Sequence, residues 1–154
     1  MPWPEPQMSF QAFAPVAAPA QAFLGCPAGS AEGGYAATQP FQQGRMFWRE
    51  DQRVIYVLTA DGQWFWTADT WDESQPAYDA SLTPPEGLIQ PVRGFGKVWR
   101  EQLGGPTAAI GWATQPEVGY EASWQYMALG LLLTDNEGRV YALRGDGAWQ
   151  QLTP

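Results

Sequence analysis

The stretch that decides the fold is Tyr56-Val57-Leu58-Thr59-Ala60-Asp61-Gly62-Gln63-Trp64. A β-branched and aromatic run, an Asp-Gly turn and a second aromatic run together indicate a β-hairpin. The same pattern returns 85 residues later as Tyr141-Ala142-Leu143-Arg144-Gly145-Asp146-Gly147-Ala148-Trp149. This repetition predicts two structural units of similar shape. Asp61 and Asp146 are interpreted as residues of type I′ turns rather than as catalytic groups.

Neighbouring strands extend each hairpin into a meander. The predicted strands are 45–49, 54–59 and 63–67 in the first copy, and 129–134, 140–144 and 148–152 in the second. A Trp-Arg-Glu echo at 97–101 suggests a seventh strand, and one short helix is expected near 117–122. No long segment of helical period separates the strands, which disfavours a parallel α/β fold. The predicted fold is mainly β: two pseudo-repeated antiparallel meanders forming a compact sandwich or barrel-like domain, with an extended N-terminal arm.

An arm precedes the β domain. Residues 1–22 are rich in proline and alanine, and proline interrupts helices and donates no hydrogen bond to a β-ladder. We therefore expect an extended segment, whose aromatic residues Trp3, Phe10 and Phe13 are candidates for contact with a neighbouring subunit. The predicted domain bounds are 23–154 for the β domain, with pseudo-repeats at 24–67 and 110–152 joined by 68–109.

Composition excludes several classes of partner. Sixteen carboxylates against eight basic residues give a net charge of -8, which repels nucleic acid and anionic lipid surfaces. No apolar stretch approaches the ~20 residues of a membrane-spanning helix. The single cysteine, Cys26, cannot form an internal disulfide and is expected to be a packed apolar residue.

Most catalytic schemes lack their residues. The chain contains no histidine and one cysteine, which removes histidine-dependent nucleophilic catalysis, histidine-ligated zinc and thiolate metal sites. The glycine pairs lack the context of a phosphate-binding loop. We expect no cofactor and no enzymatic activity.

Carboxylates and tryptophans are the remaining candidates for chemistry. Asp69, Asp72, Glu73 and Asp79 form an acidic stretch that is a weak candidate for Ca²⁺. The same stretch admits a carboxylate-only glycosidase, since that mechanism needs one acid of raised pKa and one ionised carboxylate; Asp72 or Glu73 would then be essential. A solvated acidic loop is the plainer interpretation.

Three tryptophans beside the acidic stretch are the candidate ligand-binding residues. Adjacent rings in one strand point to opposite faces, so a single buried face cannot cover them all. Exposed rings flanked by polar groups suit stacking on sugars or burial in a protein interface. Burial between packed sheets is the alternative. The candidates are Trp64, Trp66 and Trp71.

The front of each copy resembles a known repeat. Leu24-Gly25-Cys26-Pro27, with Glu32, Gly33-Gly34 and Phe41-x-x-Gly44, is similar to the LGFP repeat of bacterial cell-wall-associated proteins. The segment 91–100 and the Tyr-Val-Leu-x-x-Asp-Gly-x-Trp ending also resemble uncharacterised modules in exported proteins of Chloroflexi-type bacteria. These resemblances imply a non-enzymatic surface or envelope module and carry over no catalytic residue.

The leading functional hypothesis is a non-catalytic structural protein, extracellular or at the cell surface, that assembles with copies of itself into a filament or layer. It depends on the missing catalytic groups, the repeat and the aromatic arm. The first alternative is a carbohydrate- or cell-wall-binding module that uses the exposed tryptophans, with envelope glycan as partner. The second alternative is the carboxylate-only glycosidase.

Overall fold

A computed structural model describes residues 12–154, which form eight β-strands, two α-helices and two short 3-10 helices. The helices are α1 (Ala17–Leu24) and α2 (Arg93–Glu101), and the 3-10 helices are Ala14–Val16 and Gly105–Thr107. The strands are β1 (Glu32–Phe41), β2 (Gly44–Arg49), β3 (Val54–Thr59), β4 (Trp64–Ala68), β5 (Val118–Met127), β6 (Gly130–Thr134), β7 (Val140–Arg144) and β8 (Trp149–Leu152). Antiparallel pairing joins β1 to β4 in order, and β5 to β8 in order. The predicted mainly β fold of antiparallel meanders is confirmed.

The chain divides into two compact units. One is Ala36–Gly119, and the other combines the chain up to Tyr35 with Tyr120–Pro154. The first unit contains β2, β3, β4 and α2, and the second contains α1, β6, β7 and β8. Helix α2 thus follows the strands of its unit in sequence, whereas α1 lies far before β6, β7 and β8.

In the Ala36–Gly119 unit, α2 covers one face of the sheet. Phe95, Val98 and Trp99 are buried and follow the i, i+3, i+4 spacing of a helix face. They pack in one cluster with Ile55 and Val57, which point to the same side of β3. Every residue of β3 except its last is buried, so this strand is apolar on both faces.

In the other unit, α1 covers the sheet in the same manner. Phe13, Ala20 and Leu24 are fully buried in a cluster with Leu132 of β6 and Ala142 of β7. Pro19 lies in the first turn of α1, where a helix needs no backbone donor. The helix ends at Gly25, whose φ is 77°.

The Asp-Gly hairpins are confirmed, but their predicted turn type is wrong. In the first, Gly62 N donates to Thr59 O and Thr59 N donates to Gln63 O. Gly62 has a φ of 86°, whereas Asp61 is not among the residues of positive φ. This is the arrangement of a three-residue loop with a glycine bulge, since a type I′ turn requires positive φ at both central residues. Asp61 accepts a hydrogen bond from the Gln63 backbone N–H at 3.0 Å, as a turn residue does.

Three local predictions of secondary structure are wrong. Residues 97–101, predicted as a strand, belong to α2, because the buried face of this segment repeats with helical and not strand period. Residues 118–122, predicted within a helix, begin β5. Residues 14–22 of the predicted extended arm are helical, since their prolines fall at helix starts. Strand β1 was not predicted at all, and Cys26 is exposed rather than packed.

Among residues 12–154, each unit buries one charged side chain at or just after the end of a strand. Arg49 of β2 is 1% exposed and donates to Asp51 at 2.7 Å. Asp135, just after β6, accepts hydrogen bonds from the Arg139 Nε at 2.7 Å and the Tyr141 hydroxyl at 3.0 Å. Burial raises the pKa of Asp135, but the hydrogen bonds that it accepts outweigh burial and lower the pKa below its usual value.

Neither α-helix in residues 12–154 has the length and apolar character that crossing a membrane would require.

Glycine is required where two strands begin. A Cβ added at Gly44 would lie 2.0 Å from Leu58 O, and one added at Gly130 would lie 2.0 Å from Leu143 O. We expect Gly44→Ala and Gly130→Ala each to lower the free energy of unfolding by about 3 kcal/mol, because a backbone carbonyl cannot move aside without breaking the β-ladder. Urea unfolding measures the loss. Gly29→Ala is the matched control, because nothing lies within 4 Å of its added Cβ; equal losses at all three positions would contradict the prediction.

Candidate functional site

A cleft of about 210 Å³ opens in the Ala36–Gly119 unit. It lies where the ends of β2 and β3 meet the segment after β4 and the start of α2. Its lining combines aromatic, apolar, cationic and anionic side chains, a mixture typical of ligand sites. The lining residues are Trp48, Arg53, Ile55, Asp69, Trp71, Arg93, Gly94, Phe95 and Glu117.

The sheet supplies one wall. Trp48 of β2 lies opposite Ile55 of β3 in the antiparallel register, and residues directly opposite each other project to the same face. Arg53 is in the turn that joins these two strands and is 63% exposed at its side chain. This wall of the cleft therefore combines the indole of Trp48, the aliphatic side chain of Ile55 and the guanidinium of Arg53.

The segment after β4 supplies the second wall. Asp69 N donates to Arg53 O at 2.8 Å, which continues the pairing of β3 and β4 beyond the strand end. Trp71 N donates to Asp69 Oδ1 at 3.2 Å, and the Trp71 indole Nε1 donates to Pro76 O at 3.0 Å. The Trp71 ring is therefore held in place by its own loop.

The first turn of α2 closes the cleft. Gly94 lies against Asp69, and a Cβ at Gly94 would be 2.6 Å from Asp69 Oδ1. The absence of a side chain at Gly94 allows this approach. A carboxylate at the start of a helix is stabilised by the partial positive charge there.

Two ion pairs face the cleft. Arg53 Nη2 lies 3.9 Å from Asp69 Oδ2, and Arg93 Nη2 lies 3.6 Å from Glu117 Oε2. Burial raises the pKa of Glu117 above its usual value of 4.5, and Asp69 raises it further, while Arg93 acts in the opposite direction. The cleft therefore holds a carboxylate whose ionised form is disfavoured.

The two cleft arginines share an unusual backbone. Arg53 has a φ of 48° and Arg93 a φ of 52°, and among residues 12–154 every other residue of positive φ is glycine. A side chain in this left-handed region strains the backbone by roughly 1–2 kcal/mol per residue. Such strain concentrates at functional sites.

The structure brings only part of the predicted tryptophan set into the cleft. Trp71 lines it, whereas Trp64 and Trp66 do not. Trp66 lies opposite Tyr56, on the face of the sheet away from Ile55. Trp64 packs edge-on against Tyr56, with ring centroids 6.0 Å apart, and Trp66 is 63% exposed. The three tryptophans therefore do not form one binding surface.

The acidic stretch contributes one residue to the cleft, and its other carboxylates lie elsewhere. Asp69 enters the cleft, while Glu73 is exposed. Asp72 and Asp79 accept hydrogen bonds from Ser74 and Ser81 in their own turns, and these bonds lower the pKa of both carboxyls. No group of three or more metal-binding side chains occurs within residues 12–154, so the described structure does not assemble the weak Ca²⁺ candidate. A lowered pKa disfavours the protonated form of Asp72 that a general acid requires.

Of the predicted assembly residues, Phe13 lies in the described part of the chain. It is fully buried beneath α1 in its own chain, so its ring is not presented to a neighbour. Trp3 and Phe10 lie outside the described residues.

Seven of the nine described lining residues are not candidates on sequence alone, among them Trp48, Arg53, Arg93 and Glu117. They are separated by up to 69 positions along the chain, and no local motif connects them. Proximity of the four depends on the packing of α2.

A second concave surface lies in the other unit and is lined by Tyr120, Glu121, Ser123 and the turn after β6. Its buried carboxylate, Asp135, accepts hydrogen bonds from the backbone N–H groups of Glu137 and Arg139 as well as from side chains. The carboxylate is thus engaged in holding the turn. Tyr120 is the one aromatic residue among the described residues that line this surface, which contrasts with Trp48, Trp71 and Phe95 in the first cleft.

Comparison with known proteins adds no family: no protein-family model, curated protein or solved structure matches the chain.

Glu117→Gln tests the environment of the buried carboxyl. As pH falls below 7, the folded chain takes up a proton at Glu117 before the unfolded chain does, because the folded pKa is the higher one. The stability of the wild type should therefore rise relative to E117Q as pH falls toward 4.5. Urea midpoints across this range measure the difference. Glu86→Gln, at an exposed glutamate, is the control; a wild-type curve parallel to that of E117Q would contradict the expectation.

Proposed function

We propose that this protein is a non-catalytic binding module that takes a sugar ring in the cleft, at the cell surface or outside the cell. The observation that carries the proposal is the Trp71 indole, held by its hydrogen bond to Pro76 O beside groups that form hydrogen bonds. Aromatic faces pack against the apolar faces of sugars, while surrounding polar groups engage the hydroxyls.

The size of the cleft supports one ring rather than a large ligand. Its volume of about 210 Å³ is below the roughly 300–1,000 Å³ of sites for drug-sized molecules. A cavity of about 150 Å³ accommodates benzene. A longer glycan would therefore place one residue in the cleft and the rest along the surface.

Trp71→Ala is the direct test of sugar binding. Titration of the full chain with soluble cell-wall glycan fragments should give a saturable change in tryptophan fluorescence. We expect Trp71→Ala to weaken binding at least about tenfold, since covering a large apolar side chain contributes roughly 1.5–3 kcal/mol. Trp66→Ala is the matched control, because Trp66 is exposed but lies outside the cleft.

Two outcomes would overturn this proposal. Equal weakening by both variants would show that the cleft is not the site. Release of shorter glycans during the incubation, lost in Asp69→Asn or Glu117→Gln, would replace the binding module with a glycosidase, because these two carboxylates share the cleft.

Self-assembly is the second candidate function, and it is favoured by exposed rings on β4. Trp66 is 63% exposed and Phe65 is 39% exposed, and large aromatic residues are enriched at protein interfaces. With Phe13 buried, these rings support the proposal better than Phe13 does.

Sedimentation velocity tests the second candidate. We expect the wild type to form species larger than a monomer at high concentration, and Trp66→Ala to shift that equilibrium toward monomer at least about tenfold. Trp71→Ala should leave it unchanged. A wild type that stays monomeric at every concentration would exclude assembly through β4.

A further inference from the structure

We propose that the cleft selects a sugar carrying a carboxylate group, and that Arg53 and Arg93 bind that carboxylate. This inference rests on the proposed function, because it names the class of sugar that the same cleft takes. Four observations on the two arginines support it.

The first observation is where the arginines stand. Both line the cleft, and both occupy left-handed backbone that elsewhere in residues 12–154 is held by glycine. Glycine adopts this conformation without strain. An arginine at these positions strains the backbone. Because such strain is concentrated at functional sites, we infer that each guanidinium has a role in the cleft.

The second observation is how loosely the guanidinium groups are held. The cleft ion pairs measure 3.9 Å at Arg53 and 3.6 Å at Arg93. By contrast, Arg49 and Arg139 approach their aspartates to 2.7 Å, the distance of strong charge-assisted hydrogen bonds. The guanidinium groups of Arg49 and Arg139 are engaged in short ion pairs, whereas the ion pairs of Arg53 and Arg93 are longer.

The third observation is exposure. The side chains of Arg53 and Arg93 are 63% and 52% exposed. Each guanidinium has five N–H donors in a planar fork that matches the two oxygens of a carboxylate. Each arginine therefore has N–H donors available for a ligand in addition to those that face Asp69 or Glu117.

The fourth observation concerns the anions already present. Asp69 is engaged by the Trp71 backbone N–H and lies against the start of α2, so it remains in place when a ligand enters. Glu117 faces Arg93 and Asp69 in a desolvated position that disfavours its charge. A ligand carboxylate beside Arg93 would add negative charge there, so Glu117 takes up a proton on binding. Affinity should therefore increase as pH falls.

The experiment compares two sugars that differ at one carbon. D-Glucuronate carries a carboxylate where D-glucose carries a hydroxymethyl group, and inorganic phosphate serves as an anion without a ring. Binding to the full chain is followed by tryptophan fluorescence and by ligand-observed NMR. We expect glucuronate to bind at least about tenfold tighter than glucose, and phosphate to compete weakly. Lowering the pH from about 7.5 to about 5 should tighten glucuronate binding in the wild type but not in Glu117→Gln.

The variants Arg53→Gly and Arg93→Gly remove each guanidinium and place glycine where the backbone favours it. Each should weaken glucuronate binding at least about tenfold and weaken glucose binding by a clearly smaller factor, because glucose presents no carboxylate to the guanidinium. Their melting temperatures should not fall, and Arg53→Gln and Arg93→Gln provide a second pair that keeps a side chain. Arg144→Gln is the control for net charge, because Arg144 pairs with Asp146 in the other unit.

Each contrary result has its own meaning. Equal binding of glucose and glucuronate would overturn carboxylate selection and leave sugar binding intact. Phosphate binding as tightly as glucuronate would overturn the sugar carboxylate in favour of a general anion. If neither glucose nor glucuronate bound, the proposed function would be overturned together with this inference. If folded variants at Arg53 and Arg93 bound glucuronate as tightly as the wild type does, the two arginines would not be the residues that bind the carboxylate.

Discussion

The structure depends on one constraint: the central strand of each meander is apolar on both faces. Every residue of β3 but the last is buried, and so is every residue of β7 but the last. Because successive side chains alternate between faces, such a strand needs cover on both sides of its sheet. Helix α2 provides the cover on one face, over Ile55 and Val57, and α1 provides it on one face over Leu132 of β6 and Ala142 of β7.

The position of the cleft follows from this cover. Phe95, Val98 and Trp99 must point at the sheet, and their burial sets where α2 lies and where it begins. Its first residue, Arg93, then stands beside the segment that leaves β4, and Gly94 touches Asp69. The core thereby positions a cationic residue at the rim of the cleft, and Phe95 of the same core also lines it.

The two meanders differ in the charge that they bury. At the end of β2 the buried group is Arg49, and just after β6 it is Asp135. Each contacts a tyrosine hydroxyl of the next strand, Tyr56 or Tyr141, and each is paired with an oppositely charged neighbour. Buried charge is tolerated only with such partners. Both groups are committed to structure, in contrast to Arg53 and Arg93.

Sequence patterns by themselves determined the hairpins. Strands β2, β3, β4, β6, β7 and β8 follow from apolar, aromatic and β-branched runs bounded by turn residues, because these preferences operate within a few residues. Tertiary packing decided the rest. The Trp-Arg-Glu echo in α2 predicts a strand, but the burial of Phe95, Val98 and Trp99 has a helical period. Trp71 lines the cleft from the loop after β4, whereas Trp66 lies on the sheet face away from Ile55. Residues as distant as Trp48 and Glu117 meet only in the folded chain, because long-range contacts arise from packing of elements and leave no local pattern in sequence.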